Sequence, residues 1–95
     1  MERTTRALWL EMIKVRSSEE ARRTVGEIIQ TLKSDPAVRN AGEVRVFSNE
    51  VGDIAVHISW ESRPTLREGS SLGLRLAAAL SEHGLINHTL WIEEV

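Results

Sequence analysis

The chain of 95 residues has no cysteine, no tyrosine, one phenylalanine and two prolines. Without cysteine there are no disulfides, no Cys-ligated zinc, no iron–sulfur cluster and no thiol nucleophile. No apolar run approaches the roughly 18 residues of a membrane span, and Met1 to Arg6 lack the apolar core of a signal peptide, so the expected setting is the cytoplasm with no membrane partner. Neither sign of charge dominates: 12 basic and 14 acidic residues are scattered along the chain for a formal charge of −2, which offers no footprint for nucleic acid. The three histidines have no H-x-x-x-H spacing, so no metal site is expected. A phosphate loop, a dinucleotide fingerprint and a G-x-S-x-G elbow are also missing.

What is present is periodicity. From Gly42 to Glu61 two runs alternate with a period of two, Val44 to Phe47 and Ile54 to Trp60, and Asn49 with Gly52-Asp53 supplies turn chemistry between them. That is a β-hairpin. Ala7 to Val15 is a further strand, apolar at both parities, with Leu8, Leu10 and Met12 assigned to one side and Trp9, Ile13 and Val15 to the other. Ser17 to Glu20 reads as a capping box that opens a helix, in which Ala21, Val25, Ile28, Ile29 and Leu32 form one stripe before Ser34-Asp35-Pro36 ends it. Ser62 to Gly69 is an irregular lead-in. A second helix starts at Ser70, with Gly73 read as a point of close approach to the sheet and Gly84 as a left-handed terminator backed by Leu85. Ile86 to Val95 completes the chain as a fourth strand.

Strand, helix, strand, strand, helix, strand is the ferredoxin-like βαββαβ order of a single α+β domain, with a four-stranded antiparallel sheet in the order 4-1-3-2. Right-handed crossovers put both helices on one face, so the other face has no cover from its own chain. Apolar residues on both parities of the first and last strands then call for a homodimer through the sheets, with Trp9, Ile13, Arg45, Phe47 and Trp91 at the interface.

Three stretches carry a resemblance. V-H-I-S-W-E at Val56 to Glu61, S-x-L-G-x-x-L-A-x-x-L-x-x-x-G at Ser70 to Gly84 and N-H-T-L-W at Asn87 to Trp91 make Leu8 to Ile92 similar to the antibiotic-biosynthesis-monooxygenase-like branch of the dimeric α+β barrel superfamily. The resemblance implies a homodimer and a pocket between sheet and helices. It also implies cofactor-free oxygenation of planar aromatic molecules, or haem binding, as activities of relatives. Trp60 corresponds to the tryptophan that those relatives place in the pocket. Haem-degrading members carry an Asn in the first strand and a His in the second helix, where this chain has Leu10-Glu11-Met12-Ile13-Lys14 and only His83 at the helix end. The tyrosine used by polyketide oxygenases is missing too.

The expected enzyme is thus a cofactor-independent monooxygenase in which Trp60 and Met12 line a pocket for a planar hydrophobic molecule. Glu11 and His57, expected as neighbours on the uncovered face, are its candidate general-base pair, since a carboxylate fixes an imidazole's tautomer. The alternative is a non-enzymatic homodimeric module, in which Glu11, His57 and Arg45 form a polar patch that fixes interface register. His83 and His88 are read as a helix-end cation and a strand residue.

Overall fold

The computed structural model describes residues 7–36, 38, 43–64 and 69–94. Its elements are β1 (Trp9–Ser17), α1 (Arg22–Lys33), β2 (Glu43–Ser48), β3 (Ile54–Trp60), α2 (Ser71–Ser81) and β4 (Gly84–Ile92). All strand pairs are antiparallel and the sheet order is β2-β3-β1-β4, so the ferredoxin-like order expected from the sequence is the one observed. Among the described residues no helix is long and apolar enough to cross a membrane.

The core lies between the sheet and the two helices. Val25, Ile29 and Leu32 of α1 and Leu72, Leu76 and Leu80 of α2 close over Ile13, Val15, Val56 and Ile58, all buried. Each such side chain contributes about 1.5–3 kcal/mol through burial, which outweighs the weak helix propensity of Val25 and Ile29. Arg75 and Asp35 form an ion pair between α2 and the end of α1 at 3.4 Å.

The parity of β1 is the reverse of the sequence expectation. Ile13 and Val15 are fully buried on the helix side, while Leu8, Leu10 and Met12 occupy the open face with Trp91, Thr89 and His57 as their cross-strand neighbours. Both parities of this strand are apolar, so alternation alone did not settle which set faces inward. The register decides it: Ile13 stands opposite Val56, and Glu11 opposite Ile58. Trp9 and Ile13 therefore leave the expected interface; Trp9 pairs with Trp60 on the helix side, and the Arg63 guanidinium lies 5.6 Å from its ring centroid.

Two local expectations also change. The Ser17 capping box does not form: β1 runs on through Ser17, α1 starts with Ala21 as its N-cap and no side-chain cap, and Ser18 Oγ instead accepts from the Ala21 N–H. Gly84 is no left-handed terminator. It begins β4 opposite Ser17, where a Cβ would collide with the backbone carbonyl of Arg16, so a glycine is needed for strand approach. Leu85 accordingly points away from the helix, 75% exposed.

Candidate active site

A carboxylate sits inside this fold. Glu11, near the start of β1, has 0% exposure and faces the first turn of α2. Its Oε1 accepts from the Trp60 indole N–H at 3.1 Å and from the Ser70 hydroxyl at 2.6 Å. Its Oε2 accepts from the Ser70 backbone N–H at 3.0 Å and from His88 Nε2 at 2.6 Å. Two acceptor positions on each oxygen are thereby filled, the full capacity of a carboxylate.

The pleat explains the convergence. Glu11 stands opposite Ile58 on β3 and Leu90 on β4, so Trp60 and His88, each two residues along, project from the same face diagonally across from it. Ser70 caps α2, its Oγ accepting from the Gly73 N–H at 2.8 Å while its proton goes to Glu11. The partial positive charge at this helix start favours a carboxylate there. Two glycines make room for it: a Cβ on Gly73 would collide with the Glu11 carboxyl group, and so would one on Gly69, whose φ of +143° disfavours any other residue. Gly73 is the close-approach point expected from the sequence, and what approaches it is the Glu11 side chain.

The arrangement limits its chemistry. Ser70 bonds to the carboxylate and not to the imidazole, so it lacks the base that a serine nucleophile requires. The group free to act is His88. A carboxylate only accepts hydrogen bonds, so toward Glu11 the ring donates through Nε2, and Nδ1 is its remaining polar atom. Nδ1 has no partner among the described residues, and the side chain keeps 12% of its surface exposed. An imidazole oriented by a carboxylate is the arrangement that general-base chemistry uses.

The expected Glu11–His57 pair is not made, because the two side chains project from opposite faces of the sheet. His57 lies on the open face opposite Met12 and Arg45, with its ring centroid 4.6 Å from that of Phe47. Arg45 pairs with Glu43 of its own strand. Met12 shares that open face, so it does not line a helix-side pocket beside Trp60. Trp60 is on the helix side as expected. Arg45, Phe47 and Trp91 stand on the open face as expected, with Phe47 45% and Trp91 55% exposed. His88, read from sequence only as a strand residue, is the partner that sequence reasoning missed; its signal was its parity with Leu90 and Ile86 on the covered side. Among the described residues no group of three histidines or carboxylates is placed to hold a metal.

No protein-family model matches the chain, and no curated protein matches it in sequence. Solved structures do match in shape. A Bacteroides thetaiotaomicron protein of unknown function, described as a possible oxidoreductase, superposes with a TM-score of 0.71 at 12% identity, over 94% of this chain and 100% of that one. An antibiotic biosynthesis monooxygenase gives 0.62 at 12% identity, over 92% and 97%. This chain has the antibiotic-biosynthesis-monooxygenase fold. A candidate antibiotic biosynthesis monooxygenase from Nitrosomonas europaea extends the likeness, with a TM-score of 0.66 at 5% identity over 97% and 93% of the two chains. At these identities the shared property is the fold.

Proposed function

We propose that this chain is a cofactor-independent monooxygenase in which His88, oriented by Glu11, takes a proton from a planar aromatic substrate held between sheet and helices beside Trp60. The observation that carries this reading is the 2.6 Å bond from His88 Nε2 to a fully buried carboxylate, with no partner for Nδ1 among the described residues. Proton removal from an acidic ring methylene leaves a carbanion rich enough in electrons to reduce dioxygen itself. A carbon–oxygen bond forms to give a hydroperoxide; loss of the remaining C–H proton with cleavage of the O–O bond then releases water and leaves a carbonyl. One dioxygen is consumed for each carbonyl and each water formed, and His88 returns its proton to the leaving oxygen. The monooxygenase names of the structural neighbours support the reaction class.

The proposed protein is a cytoplasmic homodimer, joined through the open faces. Leu8, Phe47 and Trp91 support this, being large apolar side chains exposed together on a sheet face that no helix covers. Met12, Arg45 and His57 belong to that interface. Trp91→Glu is expected to give a monomer in sedimentation, because a charge would lie unpaired between the sheets; an unaltered protein that sediments as a monomer at micromolar concentration contradicts the dimer.

A second reading, a non-enzymatic module of the same shape, is favoured by one observation: all acceptor positions of Glu11 are filled within the chain, as in a structural clamp. An oxygen electrode separates the two. With anthrone, a tricyclic aromatic bearing an acidic methylene, the enzyme reading expects dioxygen uptake in a one-to-one ratio with substrate. His88→Ala should lower the rate about 10²-fold to 10⁴-fold, the usual worth of a general base. Unchanged uptake in His88→Ala overturns His88 as the base, and no uptake in either protein leaves the module reading in place.

A further inference from the structure

A cavity lies away from Glu11, near the opposite end of β3. It is a cleft of ≈ 190 Å³ between α1 and the strands β2 and β3, with Ile29, Val46 and Ile54 as its apolar walls and Gly26, Gln30 and Lys33 along its α1 side. Gly26, Ile29, Gln30 and Lys33 follow the i, i+3, i+4, i+7 spacing of one helix face. Gly26 is the unexpected member. In mid-helix a glycine costs about 1 kcal/mol against alanine, and here no crowding requires it, since a Cβ would meet nothing within 4 Å. Across the cleft Val46 is 37% exposed, although it stands opposite the buried Val56 on the covered side of the sheet. Gly26 therefore leaves this face of α1 open toward the cleft. At its mouth stands Lys33, a cation with no ion-pair partner among the described residues.

We propose that this cleft binds a small amphipathic anion, a carboxylate carried on one aromatic ring or a short acyl chain, separately from the Glu11–His88 site. The volume exceeds the roughly 150 Å³ of an apolar cavity that accepts benzene, and Lys33 supplies the countercharge for the head group. The tail covers Val46 and Ile54 and fills the space over Gly26. Catalysis at His88 is not required for this binding, so the two readings succeed or fail independently.

The test is an NMR titration of the full chain with hexanoate, and with hexanol as the uncharged counterpart. Saturable amide shifts confined to the cleft lining, Gly26 to Lys33 on α1 with Val46 to Ser48 and Ile54 on the strands, are expected for hexanoate, with hexanol weaker. Lys33→Gln should weaken hexanoate by about fivefold, the worth of one exposed ion pair, and leave hexanol unchanged. Gly26→Leu should abolish binding while unfolding at the same or a higher temperature, because leucine is the better helix former. Gly26→Ala is the smaller change and should weaken binding without removing it. Hexanol bound as tightly as hexanoate overturns the anion; no saturable shift, shifts elsewhere, or binding that survives Gly26→Leu overturns the site.

Discussion

Two carboxylates are buried among the described residues, near opposite ends of the sheet, and they are satisfied in different ways. Asp53, 5% exposed, receives Arg16 through Nε at 3.0 Å and Nη2 at 3.2 Å, together with the Asn49 amide at 3.3 Å. Asn49 in turn accepts from the Asp53 and Val51 backbone N–H groups, which builds the β2–β3 turn. Arginine never gives up its proton at ordinary pH, so this pair has a fixed charge and a structural task. Glu11 has instead two neutral side-chain donors, one backbone N–H and a histidine. Burial of an acid is therefore a poor guide to function by itself; what distinguishes Glu11 is a partner that can exchange a proton through its other nitrogen.

The largest expected effect is at Glu11. Glu11→Ala leaves donors from Trp60, Ser70 and His88 buried without an acceptor and should cost about 4 kcal/mol in urea unfolding. Gly73→Ala comes next. In an open helix the change would stabilise, but here the new methyl group meets the Glu11 carboxyl, and a net loss of about 2 kcal/mol is expected.

The smallest effect is at Asp53, and it depends on pH. The Arg16 hydrogen bonds hold the Asp53 carboxyl below the usual carboxylate range; burial opposes this, and Asn49 adds to it. A lowered folded-state pKa means stability that is present above the unfolded value of about 3.9 and is lost as pH falls through the folded one. Asp53→Asn should therefore be less stable than the unaltered protein at pH 7, with the gap closing below about pH 4. Should Glu11→Ala cost no more than Asp53→Asn at neutral pH, the contrast between the two carboxylates fails.

Most of the architecture was legible in the residues. Element order, sheet order, the α1 stripe, the turn at Asn49 and the helix start at Ser70 follow from periodicity and local hydrogen-bonding chemistry. The facing of β1 was not legible, because Leu8, Leu10 and Met12 make as good an apolar set as Trp9, Ile13 and Val15. That one ambiguity moved Glu11 to the wrong face and paired it with His57. The correct partner, His88, is 77 residues away in the chain, and only register brings it near. Gly84 misled for a related reason: a glycine after a helix fits a cap, and the need for it came from β1.

The carboxylate of Glu11 ties together β1, β3, β4 and α2 through bonds that span 49, 59 and 77 residues. Contacts of such long range close large loops and are completed late in folding. Each of them should be weak in the folding transition state, so Glu11→Ala is expected to speed unfolding far more than it slows folding. Stopped-flow kinetics in urea reads this directly: the unfolding limb should move and the folding limb should stay. The protein would then complete the Glu11–His88 pair only in the last step of its assembly, and the lifetime of the folded state would be set in large part by a single side chain on β1.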